Sequence, residues 1–342
     1  MATRHPFVVK KMKPVFAPSY YPSFRCIAAA CKHSCCVGWE IDVDADTLAY
    51  YDTVTGEMGE RLRASIDREV DPPCFRLTPD ERCPFLNESG LCDLICELGE
   101  SSLCHICDDH PRFRNVLSNR VELGLGLCCE AAAELILSQT EPFSVVELPP
   151  EKAARERHAQ EEREELDGLT AALIAHREAL LPLLCDRSRP LSDRICHVFE
   201  KCDIDLAESG TDTFKSYTSI AALLRDMERL DPAWDGYLHA LEALTEDPLS
   251  ELDGEDDVAY ENLVCYFLYR YMTADATYWP EAKRTRTAFA VICTVIIHAI
   301  HRATGGKDLD SLCEIARMFS CEIEYSEENL ETLMGEVEDA LF

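Results

Sequence analysis

A chain of 342 residues, 47% hydrophobic and 28% charged with no low-complexity tract, can bury one large core or two ordinary ones without disulfides to hold them. Its formal charge of −31, from 33 Lys and Arg against 64 Asp and Glu, argues against non-specific binding to nucleic acid, which needs a basic surface to displace counterions. Residues 1–140 carry 14 basic and 21 acidic side chains, a net of −7, which leaves −24 for the remainder. That acidic second part reads either as a well-solvated helical surface or as a field that draws a lysine-bearing protein partner.

Residues 1–14 hold Arg4, Lys10, Lys11 and Lys13, but no apolar core or small-residue cleavage site of a secretory leader follows. The longest apolar run, Phe289 to Ile300, is too short to span a bilayer and reads as a buried helix. The expectation is a soluble cytoplasmic protein with no membrane and no nucleic-acid partner. Nineteen cysteines, an odd number, suit reduced thiols, and outside the secretory pathway a cysteine cluster points to metal binding or catalysis.

Residues 15–25 are aromatic and interrupted by proline, an extended segment. Next comes Cys26-Ile-Ala-Ala-Ala-Cys31-Lys-His-Ser-Cys35-Cys36, then the short alternating stretch Val37 to Val43. Asp44 or Asp46 can cap a helix running to about Ile66, because a short side-chain acceptor satisfies free first-turn amides; Asp71-Pro72-Pro73 stops it. Residues 74–95 read as a hairpin around the turn Asn87 to Gly90. A short helical piece carries Cys96, Cys104 and Cys107 to Pro111. Val121, Leu123, Leu125 and Leu127 alternate with Glu122, Gly124 and Gly126, a strand pattern ending at Cys128-Cys129, and Glu130 to Ser138 reads as a helix.

Residues 139–151, ending in Pro149-Pro150-Glu151, form the best domain boundary. Beyond it helical spacing predicts segments near 152–165, 167–184, 190–206, 213–230, 233–245, 256–275, 280–303 and 308–341, the last broken near Cys321. The expected fold class is mainly α: a small irregular α+β cysteine-rich N-terminal domain over 1–140, followed by an acidic all-α helical domain over 150–342.

Twelve of the nineteen cysteines precede residue 130; the other seven, on helical patterns, read as small buried hydrophobes. Pairs two or three residues apart, Cys104-His-Ile-Cys107 being the tightest, can bring both sulfurs to one metal, and two such pairs close a four-thiolate site for zinc or an iron–sulfur cluster. Adjacent cysteines can hardly both ligate one ion, so one of each doublet packs or serves a second site. A purely structural metal is the plainest reading. The Cys-x3-Cys-x2-Cys motif of radical enzymes is not complete: Cys31 and Cys35 begin it, but Gly38 stands at the third position, as Gly99 does after Cys92 and Cys96. Leu123 to Leu127 lacks the glycines of a dinucleotide-binding turn. His33 and His105 sit inside the cysteine groups and read as hydrogen-bonding neighbours; His298 and His301 read as core histidines.

Cys26-x4-Cys31-x3-Cys35-Cys36-x-Gly38-Trp39-x-Ile41, Cys83-Pro84-Phe85-Leu86 with Leu91-Cys92, Leu98-Gly99-Glu100 with Leu103-Cys104-x2-Cys107 and Pro111-Arg112, and Leu127-Cys128 with Glu130-Ala131-Ala132, taken in that order, resemble the flagellin lysine N-methylase family. The resemblance covers residues 18–138. It implies a protein-lysine N-methyltransferase acting on flagellin, with S-adenosylmethionine as methyl donor and an iron–sulfur cluster, of the 4Fe–4S type or with zinc in its place, in the cysteine domain. The thiols it carries over as metal ligands are Cys26, Cys31, Cys35, Cys36, Cys83, Cys92, Cys104, Cys107 and Cys128. Cys74, Cys96 and Cys129 fall outside the pattern, with Cys129 where proline is expected and His110 where an aromatic is expected. A lysine amine must lose its proton and its water before attacking a sulfonium methyl, which directs attention to Trp39, Tyr50, Tyr51 and Asp42, although core packing is the plainer reading of the aromatics and no catalytic residue is assigned. The alternative function is a non-catalytic metal-binding module or helical adaptor.

Overall fold

The computed structural model describes residues 13–149, 167–206, 211–245, 248, 257–272 and 282–342. The alternating run predicted from Val121 forms strand β5, Val121–Leu125, buried along its whole length. It pairs antiparallel with β4, Arg112–Val116, with Arg112 opposite Leu125 and Val116 opposite Val121. On its other side it runs parallel to β1, Val15–Pro18, which in turn pairs antiparallel with β6, Val145–Glu147. The sheet order is β4-β5-β1-β6. Parallel neighbours need a long crossover; here the crossover from β1 to β5 contains all the cysteines from Cys26 to Cys107.

That crossover has a small core of its own. Helices α1, Ala45–Thr53, and α2, Gly56–Ser65, lead to a two-residue pairing of β2, Ile66–Asp67, with β3, Cys74–Phe75. Helices α3, Asp93–Leu98, and α4, His105–Asp109, complete it. Its buried members run from Ile41 to Cys104 and are centred on Tyr51, Leu62, Phe75 and Phe85. Asp44 caps α1 by accepting from the Thr47 amide at 2.9 Å, as expected. The single helix expected to reach Ile66 is broken instead at Val54-Thr55-Gly56, and β3 takes β2 as its partner, so only the Asn87 turn and the Leu86–Cys92 bridge remain of the hairpin.

After α5, Glu130–Leu137, and β6, the described remainder is helical: α6, Asp167–Leu184; α7, Leu191–Cys202; α8, Tyr217–Asp226; α9, Trp234–Glu242; α10, Asp257–Tyr271; α11, Ala282–Ala303; α12, Leu309–Phe319; and α13, Glu327–Leu341. The helix expected near 152–165 lies outside the described residues, as do residues 150 and 151 of the expected boundary. A π-turn at Ser320–Glu324 separates α12 from α13, at the expected break. The protein is thus mainly α with a small α+β region. One large core gathers these helices together with Tyr20, Phe24, Leu117, Leu125, Leu127 and Ile136, so the sheet and α5 pack with the helical body.

Helix α11, with 22 residues, is long and apolar enough to cross a membrane by length and composition, yet it is the central helix of this core, buried from Thr285 through His301 except at Arg286. Its histidines are core residues. His298 stands edge-on to the Tyr260 ring, centroids 4.7 Å apart, and His301 is bonded to the Tyr260 hydroxyl (2.7 Å) and Ser311 (2.9 Å). Two buried carboxylates fasten the helices. Glu122 of β5 takes both nitrogens of the Arg177 fork at 2.7 and 2.6 Å, tying α6 to the sheet. Glu261 of α10 receives Arg194 of α7 at 2.6 Å and Arg187 at 3.0 Å.

Two outcomes follow from these buried groups. Removing the charge of Glu261 strands two arginines, so Glu261→Gln is expected to lower unfolding free energy by about 3 kcal/mol in urea titration. Burial first, then Arg302 and His301, pushes His298 down to about 4, below the 6.5 of a free imidazole. The unfolded chain therefore takes the proton first: this contribution is complete above about pH 6.5 and is lost as pH falls toward 4. His298→Gln should flatten that part of the stability–pH curve by on the order of 3 kcal/mol.

Candidate metal centre

All nineteen cysteines are free thiols. Those before residue 130 are gathered by short irregular backbone pairings. The Cys83 amide donates to the Cys36 carbonyl at 2.8 Å, Val37 faces Arg82, and the Gly38 amide donates to the Glu81 carbonyl at 2.8 Å. Gly38 has φ +76°, a left-handed conformation that glycine adopts at little cost, which lets the chain leave this pairing toward Trp39. The Asn87 turn brings Cys92 back opposite Leu86. Tyr51 donates its hydroxyl to the Ser102 carbonyl (2.7 Å) and the His105 amide donates to Asp44 (2.9 Å), docking the segment of Cys104 and Cys107 on α1.

These contacts bring five thiols together: Cys36, Cys83, Cys92, Cys104 and Cys107. The Cys104 and Cys107 sulfurs are 3.4 Å apart. A hydrogen bond from Cys107 lowers the Cys104 pKa against the effect of burial, while the same bond, burial and the charges of Cys104, Cys36 and Cys83 raise Cys107. Burial pushes Cys83 up to about 12, opposed by the Phe85 amide and reinforced by Cys36, Cys92 and Cys104. Cys92 is raised by burial and by Cys36, with the Ile95 and Leu94 amides of α3 opposing, although neither closes a cap hydrogen bond. Cys36 is lowered to about 7, first by a hydrogen bond from Cys35, with Ser34 and Arg82 also favouring its thiolate. Burial and the neighbouring thiols thus hold Cys83, Cys92 and Cys107 toward the protonated form, which a cation among them would oppose.

A second set lies on the outside. Glu130, the first residue of α5, accepts from the Lys32 amide at 2.8 Å and lies 3.5 Å from the Cys31 sulfur, pinning residues 31–33 beside Cys129. Burial pushes Cys31 up to about 11, Glu130 and Cys129 adding to it against the backbone of His33. Cys35 is raised by its bond to Cys36, by burial and by the charges of Cys36, Cys129 and Cys26. Burial raises Cys129, the amides of Ala132 and Ala131 oppose it, and Cys26 and Glu130 add to it. Cys26 and Cys35 are exposed, and Cys31 and Cys129 are half-buried.

Of the nine expected ligands, five fall in the inner set and Cys26, Cys31 and Cys35 in the outer one. Cys128 is placed elsewhere: it is buried beside Cys321 and Tyr325 in the helical body, and burial raises its pKa. Cys129, outside the expected pattern, stands in the outer set; its sequence signal was the doublet itself. Cys96 is exposed, and Cys74 faces Glu40, Asp67 and Asp42. Among the described residues no group of three or more Cys, His, Asp or Glu side chains is arranged to hold a metal ion. The donor chemistry nevertheless fits: all-thiol sets suit zinc or an iron–sulfur cluster and not calcium or magnesium.

The other candidates divide. Tyr51 is a core residue, Tyr50 is 42% exposed, and Asp42 has its pKa raised by burial and Glu40. His33 pairs with Glu314 at 3.1 Å and His105 lies 3.7 Å from Asp44, so both have carboxylate neighbours. Burial and Arg112 push His110 down to about 4, which keeps it neutral where an aromatic was expected. Trp39 meets Tyr325 edge-on, centroids 5.7 Å apart, joining the cysteine region to the helical body. Behind Tyr325, Glu324 accepts from Tyr266 (3.0 Å) and Tyr271 (2.8 Å) and pairs with Arg270 (3.2 Å). A Cβ on Gly126 would stand 2.5 Å from the Tyr325 hydroxyl and 3.3 Å from the Pro111 carbonyl.

The chain is similar to lysine-N-methylases. Those of Salmonella typhimurium and Salmonella choleraesuis are each 28% identical over 143 residues, which cover 39% of this chain and 35% of theirs. A flagellar biosynthetic protein FliU of Salmonella muenchen is 27% identical over 155 residues, 42% of this chain and 87% of that one. The match thus spans about a third of the length of the lysine-N-methylases. No family model matches the chain, and no solved structure does.

Gly126→Ala is expected to push Tyr325 off its seat and destabilise the protein by about 1–3 kcal/mol in thermal unfolding. Glu130→Ala should leave the melting temperature nearly unchanged while speeding amide exchange at Lys32, read by hydrogen-exchange mass spectrometry.

Proposed function

We propose that the protein is a protein-lysine N-methyltransferase that acts on flagellin with S-adenosylmethionine as methyl donor. The observation that carries the reading is the similarity of 39% of the chain to lysine-N-methylases, together with the ordered cysteine motifs that resemble that family. A thiolate-bound iron–sulfur cluster, with zinc as the alternative, would be held by thiols of the inner set and would supply a redox or structural centre there. The protein's own part is to bring a lysine amine to the donor, free it of its proton and water, and hold it in line with the methyl group. The net charge of −24 beyond residue 140 favours a lysine-bearing substrate through its long-range field.

The non-catalytic alternative draws on a different observation. Cys83 and Cys104 are buried members of the small inner core, where a metal would act as a staple. Incubation of anaerobically purified protein with flagellin and S-adenosylmethionine separates the two readings. Methylated lysines, mapped by mass spectrometry, are the expected result, with the initial rate falling severalfold as salt rises from about 0.05 to 0.5 M. A fully metallated sample that leaves every flagellin lysine unmethylated sinks the enzyme reading.

A further inference from the structure

We propose that Cys185 and Cys265 are a peroxide-oxidisable pair: Cys185, at the end of α6, takes the oxidant, and Cys265, on α10, resolves it to a disulfide that staples the two helices. The inference concerns thiol oxidation alone and does not depend on methyl transfer.

The first ground is how the two helices are held together. Glu261 and Cys265 are four residues apart on α10 and so share one face of it. Opposite that face, the Arg194 guanidinium donates to the Leu184 carbonyl at 2.7 Å and to Glu261 at 2.6 Å. Arg187 donates to Glu261 at 3.0 Å and to the Thr140 carbonyl at 2.5 Å. The Cys185 amide donates to the Leu181 carbonyl at 3.0 Å, continuing the last turn of α6. The end of α6 is thus clamped against one turn of α10, and the next turn presents Cys265, its sulfur 4.0 Å from that of Cys185. The two positions are 80 residues apart in sequence, so the fold and not local spacing makes the approach. A disulfide bond of about 2.05 Å needs the sulfurs to close by roughly 2 Å, which small χ1 adjustments on two facing side chains supply.

The second ground is the difference between the thiols. Cys185 is half-buried and Cys265 fully buried, so a small polar oxidant reaches the first and not the second. A hydrogen bond from Cys265 lowers the Cys185 pKa against burial and the Glu261 charge, with the Phe143 amide also favouring the thiolate. The same bond, burial and the Cys185 charge raise Cys265. The thiolate is the nucleophile, so the accessible member is also the reactive one.

The Cys185 thiolate attacks one oxygen of hydrogen peroxide: an S–O bond forms, the O–O bond breaks, and the departing hydroxide takes a proton and leaves as water. Cys265 then loses its proton and attacks the sulfur of the Cys185 sulfenic acid. The S–S bond forms, the S–O bond breaks, and the oxygen leaves as a second water. The two sulfurs together give two electrons to the peroxide, and a small dithiol reverses the step by thiol–disulfide exchange. The disulfide closes the 80-residue separation that contains α7, α8 and α9, a long loop whose closure restricts the unfolded chain strongly.

The full chain, purified anaerobically and fully reduced, is treated with a small molar excess of hydrogen peroxide, alkylated, and digested without reductant. Cys196, exposed on α7, serves as the reference thiol in each sample. A linked Cys185–Cys265 peptide should form before Cys196 is oxidised. The melting temperature should rise by about 5 °C, fall back with dithiothreitol, and stay unchanged in Cys185→Ser. In Cys265→Ala, which keeps the buried site apolar, dimedone should label Cys185 roughly tenfold more than in the wild type, because nothing resolves the sulfenic acid. In Cys185→Ser, Cys265 should stay reduced. Absence of the linked peptide from wild-type protein whose Cys196 has been oxidised overturns the proposal, as does a Cys185 linked to any other cysteine; these wild-type readouts stand whether or not the variants fold.

Discussion

The parallel pairing of β1 with β5 is the constraint on which the rest of the cysteine architecture depends. Val15 opposite Val121 and Phe16 opposite Glu122 hold the two strands that flank the long crossover side by side. Loop-closure entropy of that length is offset by burial of the strands, and Glu122 of β5 adds ion pairs to Arg177 and Arg120. The crossover is thereby a domain-like insert with both ends anchored to the helical body. Its own core is small, which is the circumstance in which a bound metal contributes most to folding.

From that anchoring comes the seam between cysteine region and helices. It is built of Trp39 on Tyr325, Glu130 on residues 31–33, and His33 on Glu314. The Tyr325 side of it rests on Glu324, Arg270, Tyr266 and Tyr271, a buried network whose carboxylate is satisfied by two hydroxyls and a guanidinium. A buried charge compensated in this way is expensive to disturb, so the seam is held in one arrangement. These contacts join the cysteine region to the body that carries most of the acidic charge.

Helices were readable because their apolar spacing is local. The segments expected at 167–184, 280–303 and 308–341 with a break near Cys321 correspond to α6, α11, and α12 with α13, and the burial of Phe289 to Ile300 followed from unbroken apolar character. The cysteine region was less legible. Its pairings are one or two residues long, as at Val37 with Arg82 or Leu86 with Cys92, and strands so short leave no periodicity to detect. For the same reason Val145–Glu147, in a segment read as linker, became an edge strand once β1 was there to receive it.

The sequence by itself determined the chemistry on offer: an excess of thiols in one region, the rule that adjacent cysteines cannot share an ion, and an acidic helical second part. Tertiary structure alone decided which thiols are neighbours. The Cys31 sulfur lies 3.5 Å from Glu130, nearly a hundred residues further along the chain, and of the consecutive pair Cys128 is buried beside Cys321 and Tyr325 while Cys129 is only half-buried. Spacing along the chain carries information about such placements only after the fold is known.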